Sequence, residues 1–218
     1  RVDRGSLSQS RASDDPGKKN RRAILAGSLA WVSGAFAIQI PIVNRGFVSM
    51  DEGHLVATAQ RLLEGDLLYR DIHTGIFPGI YYLTAILFEI AGMDVLVTRW
   101  AQIVVNTAIV LLLWGIGLRM MRHRWAVFAP LTFLAVIPVA YPIFTMLNYS
   151  TVSLAFGLFA LFFMVQYAEE ARTRDAILCG FALALCALTK QNFGALAGLA
   201  LLLGFLWARR DGRLADRT

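Results

Sequence analysis

Three groups of residues in this chain of 218 have the types and spacing to do chemistry. The first is the adjacent pair Asp51 and Glu52, with His54 just after, in the polar stretch SMDEGHLVATAQRLLEGDLLYRDIHTGIFPG at positions 49–79. A carboxylate here can take the proton from an attacking hydroxyl as a general base, or the pair can hold a divalent cation that neutralises a departing phosphate. The second group is Arg70 and Asp71, with His73 close behind. Asp71 is a candidate second acid, and His54 and His73 have the chemistry to complete a metal site with Asp51 and Glu52. The third is a pair of isolated cations, Arg99 and Lys190, at the ends of apolar runs. A guanidinium makes charge-assisted hydrogen bonds to phosphate oxygens, and an ammonium serves as a point charge. Asp51 and Glu52 are thus the candidate catalytic residues, and Asp71, Arg70, Arg99 and Lys190 the candidate substrate contacts.

Each has a plainer alternative. Ser49-Met50-Asp51-Glu52 fits a capping box, with Ser49 as N-cap and Glu52 reaching back to its amide. Asp51 in the first turn also complements the helix dipole. Arg70 and Asp71 can simply pair on the surface, for under about 1 kcal/mol. Arg99 and Lys190 can snorkel to lipid headgroups, His73 beside Thr74-Gly75 can be an ordinary loop residue, and Tyr81 with Tyr82 fits an aromatic belt at the membrane interface.

The elements that must position these groups are apolar. The chain is 57% hydrophobic and 17% charged, with a mean hydropathy of +0.56, against about 25% charged residues in a soluble domain. Apolar segments cover 23–43, 77–92, 95–118, 125–147, 150–167, 176–189 and 193–208. Several can cross a hydrocarbon core about 30 Å thick at about 1.5 Å per residue, so the chain is an integral membrane protein. The net charge of +6 lies in short clusters at segment ends, a topology signal that argues against a nucleic-acid partner. Cys179 and Cys186, seven residues apart in one run, are about 10 Å apart along a helix, too far for a disulfide.

The basic clusters choose among topologies. With the amino-terminal tail cytoplasmic and 77–92 lying along the outer surface, sixteen of the 21 Lys and Arg residues fall inside. Letting 77–92 cross instead turns several clusters outward. The expected architecture is therefore all-α: a polytopic bundle of about six spans, with a large acidic external loop at 44–96 holding two interfacial helices. Within it, Leu55, Val56, Ala59, Leu62 and Leu63 recur on one face of an amphipathic helix. Residues 1–22 are expected to be a disordered cytoplasmic tail, 23–208 the transmembrane domain, and 209–218 a second cytoplasmic tail. Lys190-Gln191-Asn192 interrupts a short run, which predicts a tilted hairpin or a re-entrant element in preference to one long helix with a buried lysine. The start at Arg1 and the stop eleven residues after Trp207 predict the leading part of a longer protein, inactive by itself and with acceptor recognition in a missing carboxy-terminal part.

The ordered set D-E-G, A-x-x-L-L-x-G, L-Y-R-D, P-x-x-Y-Y-L-x-A-x-x-F-x-x-x-G and an Arg is carried here by Asp51, Glu52, Gly53, Ala59, Leu62, Leu63, Gly65, Leu68, Tyr69, Arg70, Asp71, Pro78, Tyr81, Tyr82, Leu83, Ala85, Phe88, Gly92 and Arg99. It resembles the GT-C class of membrane glycosyltransferases, most closely the bacterial branch with protein O-mannosyltransferase-like and aminoarabinose transferase-like enzymes. Positions 180–190, ending L-T-K, extend the likeness. The resemblance implies transfer of a sugar from a polyprenyl-phosphate donor to an acceptor hydroxyl on an envelope glycan, lipid or protein, on the extracytoplasmic side of a bacterial plasma (inner) membrane, with inversion. It implies that Asp51 is the base or orients the acceptor, and that Glu52 supports it or a divalent metal cation; members differ on the metal. The competing expectation is a non-enzymatic protein such as part of a transporter, with the acidic loop as a gate and Lys190 lining a pathway.

Overall fold

The computed structural model describes residues 16–46 and 49–210. The helices, in order, are α1 (Pro16–Gln39), α2 (His54–Leu63), α3 (Gly79–Ala91), α4 (Val95–Met120), α5 (His123–Ala126), α6 (Phe128–Val139), α7 (Tyr149–Glu170), α8 (Thr173–Thr189) and α9 (Gln191–Arg210). The fold is the all-α polytopic bundle expected. α4 is its centre, packed by α1, α6 and α7, while α7, α8 and α9 form a second layer.

Segments spanning 21–42, 95–120, 149–170 and 191–210 are helical, long and apolar enough to cross a membrane. The other two expected spans are shorter. The run at 125–147 ends as helix at Val139, because Pro138 and Pro142 bring no amide hydrogens to continue it, and the chain turns instead through 140–147. α8 has 17 residues, about 25 Å of helix. α3, at 13 residues, is about 20 Å long, the length that set it apart from the spans in sequence.

Some expected boundaries move. The tail at 1–22 was expected to be disordered, yet α1 already starts at Pro16, a residue with φ preset for a first helical position; residues 1–15 lie outside the described residues. α9 likewise runs on to Arg210, and the rest of the second tail is outside them too. The interruption at Lys190 is a single extended residue (φ −150°, ψ 105°) between α8 and α9. α9 turns back along α8 and lies beside α7, with the Tyr167 and Phe205 rings 6.3 Å apart near the ends of α7 and α9, so α8 and α9 form the expected hairpin.

The bundle has two chemically distinct ends. Arg119, Arg122, Arg124, Arg172, Arg174, Arg209 and Arg210 gather at one, where Arg119 pairs with Glu169 and lies over the Phe162 ring. The acidic loop covers the other, with the starts of α4, α7 and α9. A core of Leu55, Leu68, Ile72, Ile80, Tyr81, Leu147 and Val152 ties that loop to α7. α2 meets α3 through Ala59, Ala85 and Phe88, so the apolar face of α2 is buried in protein at Leu55 and Ala59 and open only toward Leu63. α3 begins at Gly79 against the end of α8: a Cβ there would stand 2.6 Å from the Leu188 carbonyl oxygen. Only a glycine permits this approach, and it brings the start of α3 beside Lys190.

Buried amides lock α1, α4 and α7 together. Asn106 donates to Gln39 (2.7 Å) and to the Phe144 carbonyl (2.9 Å), and accepts from Gln102 (2.7 Å). Gln102 in turn accepts from Thr151 (3.0 Å) and from the Asn148 amide (3.2 Å). The Asn148 side chain caps α7 by accepting from Ser150 N (2.7 Å). Both cysteines are free and buried, and Cys186 lies 3.2 Å from the Ser153 hydroxyl.

Candidate active site

Residues Ser49–Gly53 form one wide π-type turn leading into α2. Neighbours on a helical turn project about 100° apart, so the turn sends its two carboxylates in different directions. Glu52 points inward and is 2% exposed; Asp51 stays at the surface, over a cavity.

Glu52 is bound by Arg99. The guanidinium grips both its oxygens, Nε to Oε1 at 2.7 Å and Nη2 to Oε2 at 2.8 Å. Its remaining N–H groups reach the backbone carbonyls of Val43 (2.9 Å), Arg45 (3.4 Å) and Gly46. These five bonds use all five donors of the side chain, which is 4% exposed. Gly46 turns with φ +68°, and a Cβ there would collide with the Tyr141 hydroxyl. Three expectations change in consequence. Arg99 neither snorkels nor keeps a donor free for a lipid phosphate. Glu52 is not the return arm of a capping box. With both oxygens held, Glu52 is also a poor partner for a metal, and no group of three His, Cys, Asp or Glu side chains converges anywhere among the described residues.

Asp51 makes no hydrogen bond or ion pair among the described residues. It lines a cavity of about 30 Å³ with His54, Tyr81, Asn148 and Tyr149 and the apolar Leu55, Ile76, Ile80 and Leu147. The cavity is small beside its neighbour and has room for a hydroxyl or a water. Tyr81 was expected in an interfacial belt, but it is 1% exposed and its hydroxyl bonds His54 Nε2 (3.1 Å) and Thr74 Oγ1 (2.8 Å). Tyr82 is exposed.

A second cavity of about 230 Å³ adjoins the first and shares its Ile76 and Tyr149 walls. Its other lining is Gly75, Phe77, Lys190, Gln191 and Asn192. The Lys190 ammonium donates to the Ser150 hydroxyl (2.8 Å) and lies over the Tyr149 and Phe193 rings at 4.9 and 4.7 Å. Among the described residues no carboxylate pairs with it, and its contacts there are the ring faces and a hydroxyl.

Arg70 and Asp71 lie apart from both cavities. Asp71 accepts from Leu67 N (2.9 Å) and pairs with Arg70 (2.8 Å), while Arg61 pairs with Asp66 (2.6 Å) and donates to the Asp71 carbonyl (3.1 Å). The Arg70 hydrogen bond, then the Leu67 amide, hold the Asp71 carboxyl below its usual range. Together these bonds fix the 66–72 turn, whose Leu68 and Ile72 are the loop's anchors in the core. His73 is exposed and lines neither cavity. Asn148, Tyr149 and the Gln102–Asn106 amides behind them were not foreseen as site residues; polar side chains inside otherwise apolar runs were the available signal.

Residues 73–217 match the sequence model of the dolichyl-phosphate-mannose-protein mannosyltransferase family. The match takes in α3 to α9, with Arg99 and Lys190, and begins after Asp51 and Asp71. No curated protein and no solved structure matches the chain.

Proposed function

The chain belongs to the dolichyl-phosphate-mannose-protein mannosyltransferase family of membrane glycosyltransferases, and from that premise we propose that it moves a sugar from a polyprenyl-phosphate donor to an acceptor hydroxyl, with Asp51 as general base. The observation that carries this is the juxtaposition of two cavities with a common wall, one holding a carboxylate and the other an ammonium, neither of which has an ionic partner among the described residues. The larger cavity suits the donor's phosphate beside Lys190, with the prenyl tail running into lipid along the apolar helices. The smaller suits one hydroxyl beside Asp51.

In the reaction the acceptor oxygen attacks the anomeric carbon while its proton passes to Asp51. The sugar–phosphate C–O bond breaks and its electron pair leaves on the prenyl phosphate. Phosphate leaves readily, so the protein supplies proton removal, charge neutralisation and alignment. Glu52 and Arg99 serve as positioning residues, since they fix the turn that carries Asp51. The site belongs on the extracytoplasmic face of a bacterial plasma membrane, with the amino terminus cytoplasmic, because that orientation puts the basic end inside. The acceptor is part of an envelope glycan, lipid or protein. A transport pathway finds less support: the buried amides that would line one are satisfied by each other.

The test is Asp51→Asn in the full chain in membranes, assayed for transfer from a polyprenyl-phosphate sugar. Loss of a general base lowers the rate by about 10² to 10⁴ with insertion and folding unchanged. Transfer near the unmodified rate would remove Asp51 from the mechanism.

A further inference from the structure

His54, the first residue of α2, lines the same small cavity as Asp51. Its ring is held from behind. Nε2 lies 3.1 Å from the Tyr81 hydroxyl, and the two rings meet edge to face at 5.8 Å and 85°. The Tyr81 hydroxyl is 2.8 Å from Thr74 Oγ1, which accepts from Ile76 N at 3.2 Å. Behind the imidazole, then, stands a chain of hydrogen bonds that ends on a backbone amide, and an amide can only donate.

One assignment of hydrogens runs every bond in the same sense. Ile76 N–H donates to Thr74, Thr74 O–H to Tyr81, and Tyr81 O–H to His54 Nε2. His54 is then the neutral tautomer with its proton on Nδ1, the nitrogen with no partner among the described residues. Bonds aligned this way polarise one another and strengthen the last donor.

We propose that His54 is a further catalytic residue, whose Nδ1–H donates to the oxygen of the acceptor hydroxyl in the small cavity. This rests on the assignment of Asp51 as base. A hydroxyl oxygen has one hydrogen and two lone pairs. Its hydrogen goes to Asp51, one lone pair accepts from His54, and the other is left to attack the anomeric carbon. In the step the O–H bond breaks with its proton to Asp51, the new C–O bond forms, and the prenyl phosphate departs with the old bonding pair. His54 keeps its proton and stays neutral throughout. Its contribution is to stop the hydroxyl from rotating, which a carboxylate alone does not do.

The test uses the full chain in membranes with three substitutions: His54→Ala, His54→Asn and His54→Gln. The Asn amide presents an N–H near the position of Nδ1, whereas Gln reaches only to the position of Nε2 and the Tyr81 hydroxyl. His54→Ala is expected to lower kcat about 10- to 100-fold, the loss of one hydrogen bond at a reacting oxygen, with the KM for donor unchanged. Asn restores a large part of that loss and Gln does not. Rescue by Gln alone overturns the proposal, because it makes His54 a prop for Tyr81, and so does an unchanged kcat in His54→Ala. Asp51→Asn assayed beside them separates the two ideas: transfer retained there removes the base, whereas transfer lost there with His54→Ala at the unmodified rate removes only His54.

Discussion

Glu52 and Arg99, 47 positions apart in sequence, meet in a two-pronged ion pair with oxygens and nitrogens at 2.7 and 2.8 Å and almost no exposure to solvent. The pair clamps the Ser49–Gly53 turn onto the start of α4, and the same guanidinium holds the carbonyls of Val43, Arg45 and Gly46 in the turn that follows α1. Asp51 is presented to its cavity because its neighbour is fixed in this way.

Removing one partner of such a pair leaves the other charge buried, at about 3–5 kcal/mol. Arg99→Met and Glu52→Gln should therefore each destabilise the protein strongly, and the double variant should cost less than the sum of the two. Thermal unfolding in detergent across the double-mutant cycle measures this. A guanidinium serving a lipid phosphate would instead leave stability unchanged and show additive effects.

Lys190 makes the opposite prediction. It has one hydrogen bond among the described residues, to Ser150, so Lys190→Met should cost stability only about 1 kcal/mol. If the ammonium meets the donor's phosphate, the same change should lower kcat/KM for donor by about 10- to 100-fold, since bonds to charged groups are worth about 1.5–3 kcal/mol. Steady-state kinetics at varied donor concentration, with unfolding measured alongside, separates the two quantities. A loss of stability with unchanged donor kinetics would make Lys190 a structural lysine.

How much of this could be read in the residues beforehand follows from range. The long spans were legible because an apolar run records its own environment, and the hairpin at Lys190 because a charge in such a run must lie at a break. The likeness of Asp51 to a family acid rests on a local motif that precedes the matched residues 73–217. The fate of Glu52 was not: side by side in a sequence, two carboxylates look alike, and only the turn geometry and a distant arginine distinguish them. Tyr81 misled for the same reason, since a one-residue step on α3 separates its core position from the surface position of Tyr82. Arg99 looked like a phosphate ligand because its five acceptors include three carbonyls, which no side-chain pattern reveals.

The amide cluster carries a prediction about the wall of the site. Asn106→Leu would strand the Gln39 and Gln102 side chains and the Phe144 carbonyl, each of which loses a partner in a dry seam. A lost partner of this kind costs about 1–3 kcal/mol, so a drop of several kcal/mol in unfolding free energy is expected. Gln102 also holds the Asn148 amide and Thr151, so transfer activity should fall in the fraction that still folds. Gln102→Glu, which keeps an oxygen to accept from Asn148 and Thr151 but removes the Nε2 donor, tests whether the wall needs that donor to Asn106.

The acidic loop should respond to pH through Asp71. Its carboxyl is held below the usual range by the Arg70 hydrogen bond and the Leu67 amide, so the ionised form is the one that favours the folded turn. The contribution is therefore fully present above the unfolded value of about 3.9, and it is lost as pH falls below that toward the lower folded value. Between pH 5 and 8 the 66–72 turn should keep constant protection, and below about pH 4 its amides should lose protection relative to the unstructured rate at the same pH, with that of Leu67 first. Asp71→Asn should mimic the acid state at neutral pH. Hydrogen exchange read by mass spectrometry on peptides covering 64–76 makes both comparisons. Because Asp71 lines neither cavity, the variant should retain transfer at neutral pH with at most a several-fold loss. A drop as deep as that expected for Asp51→Asn would return Asp71 to the reacting groups.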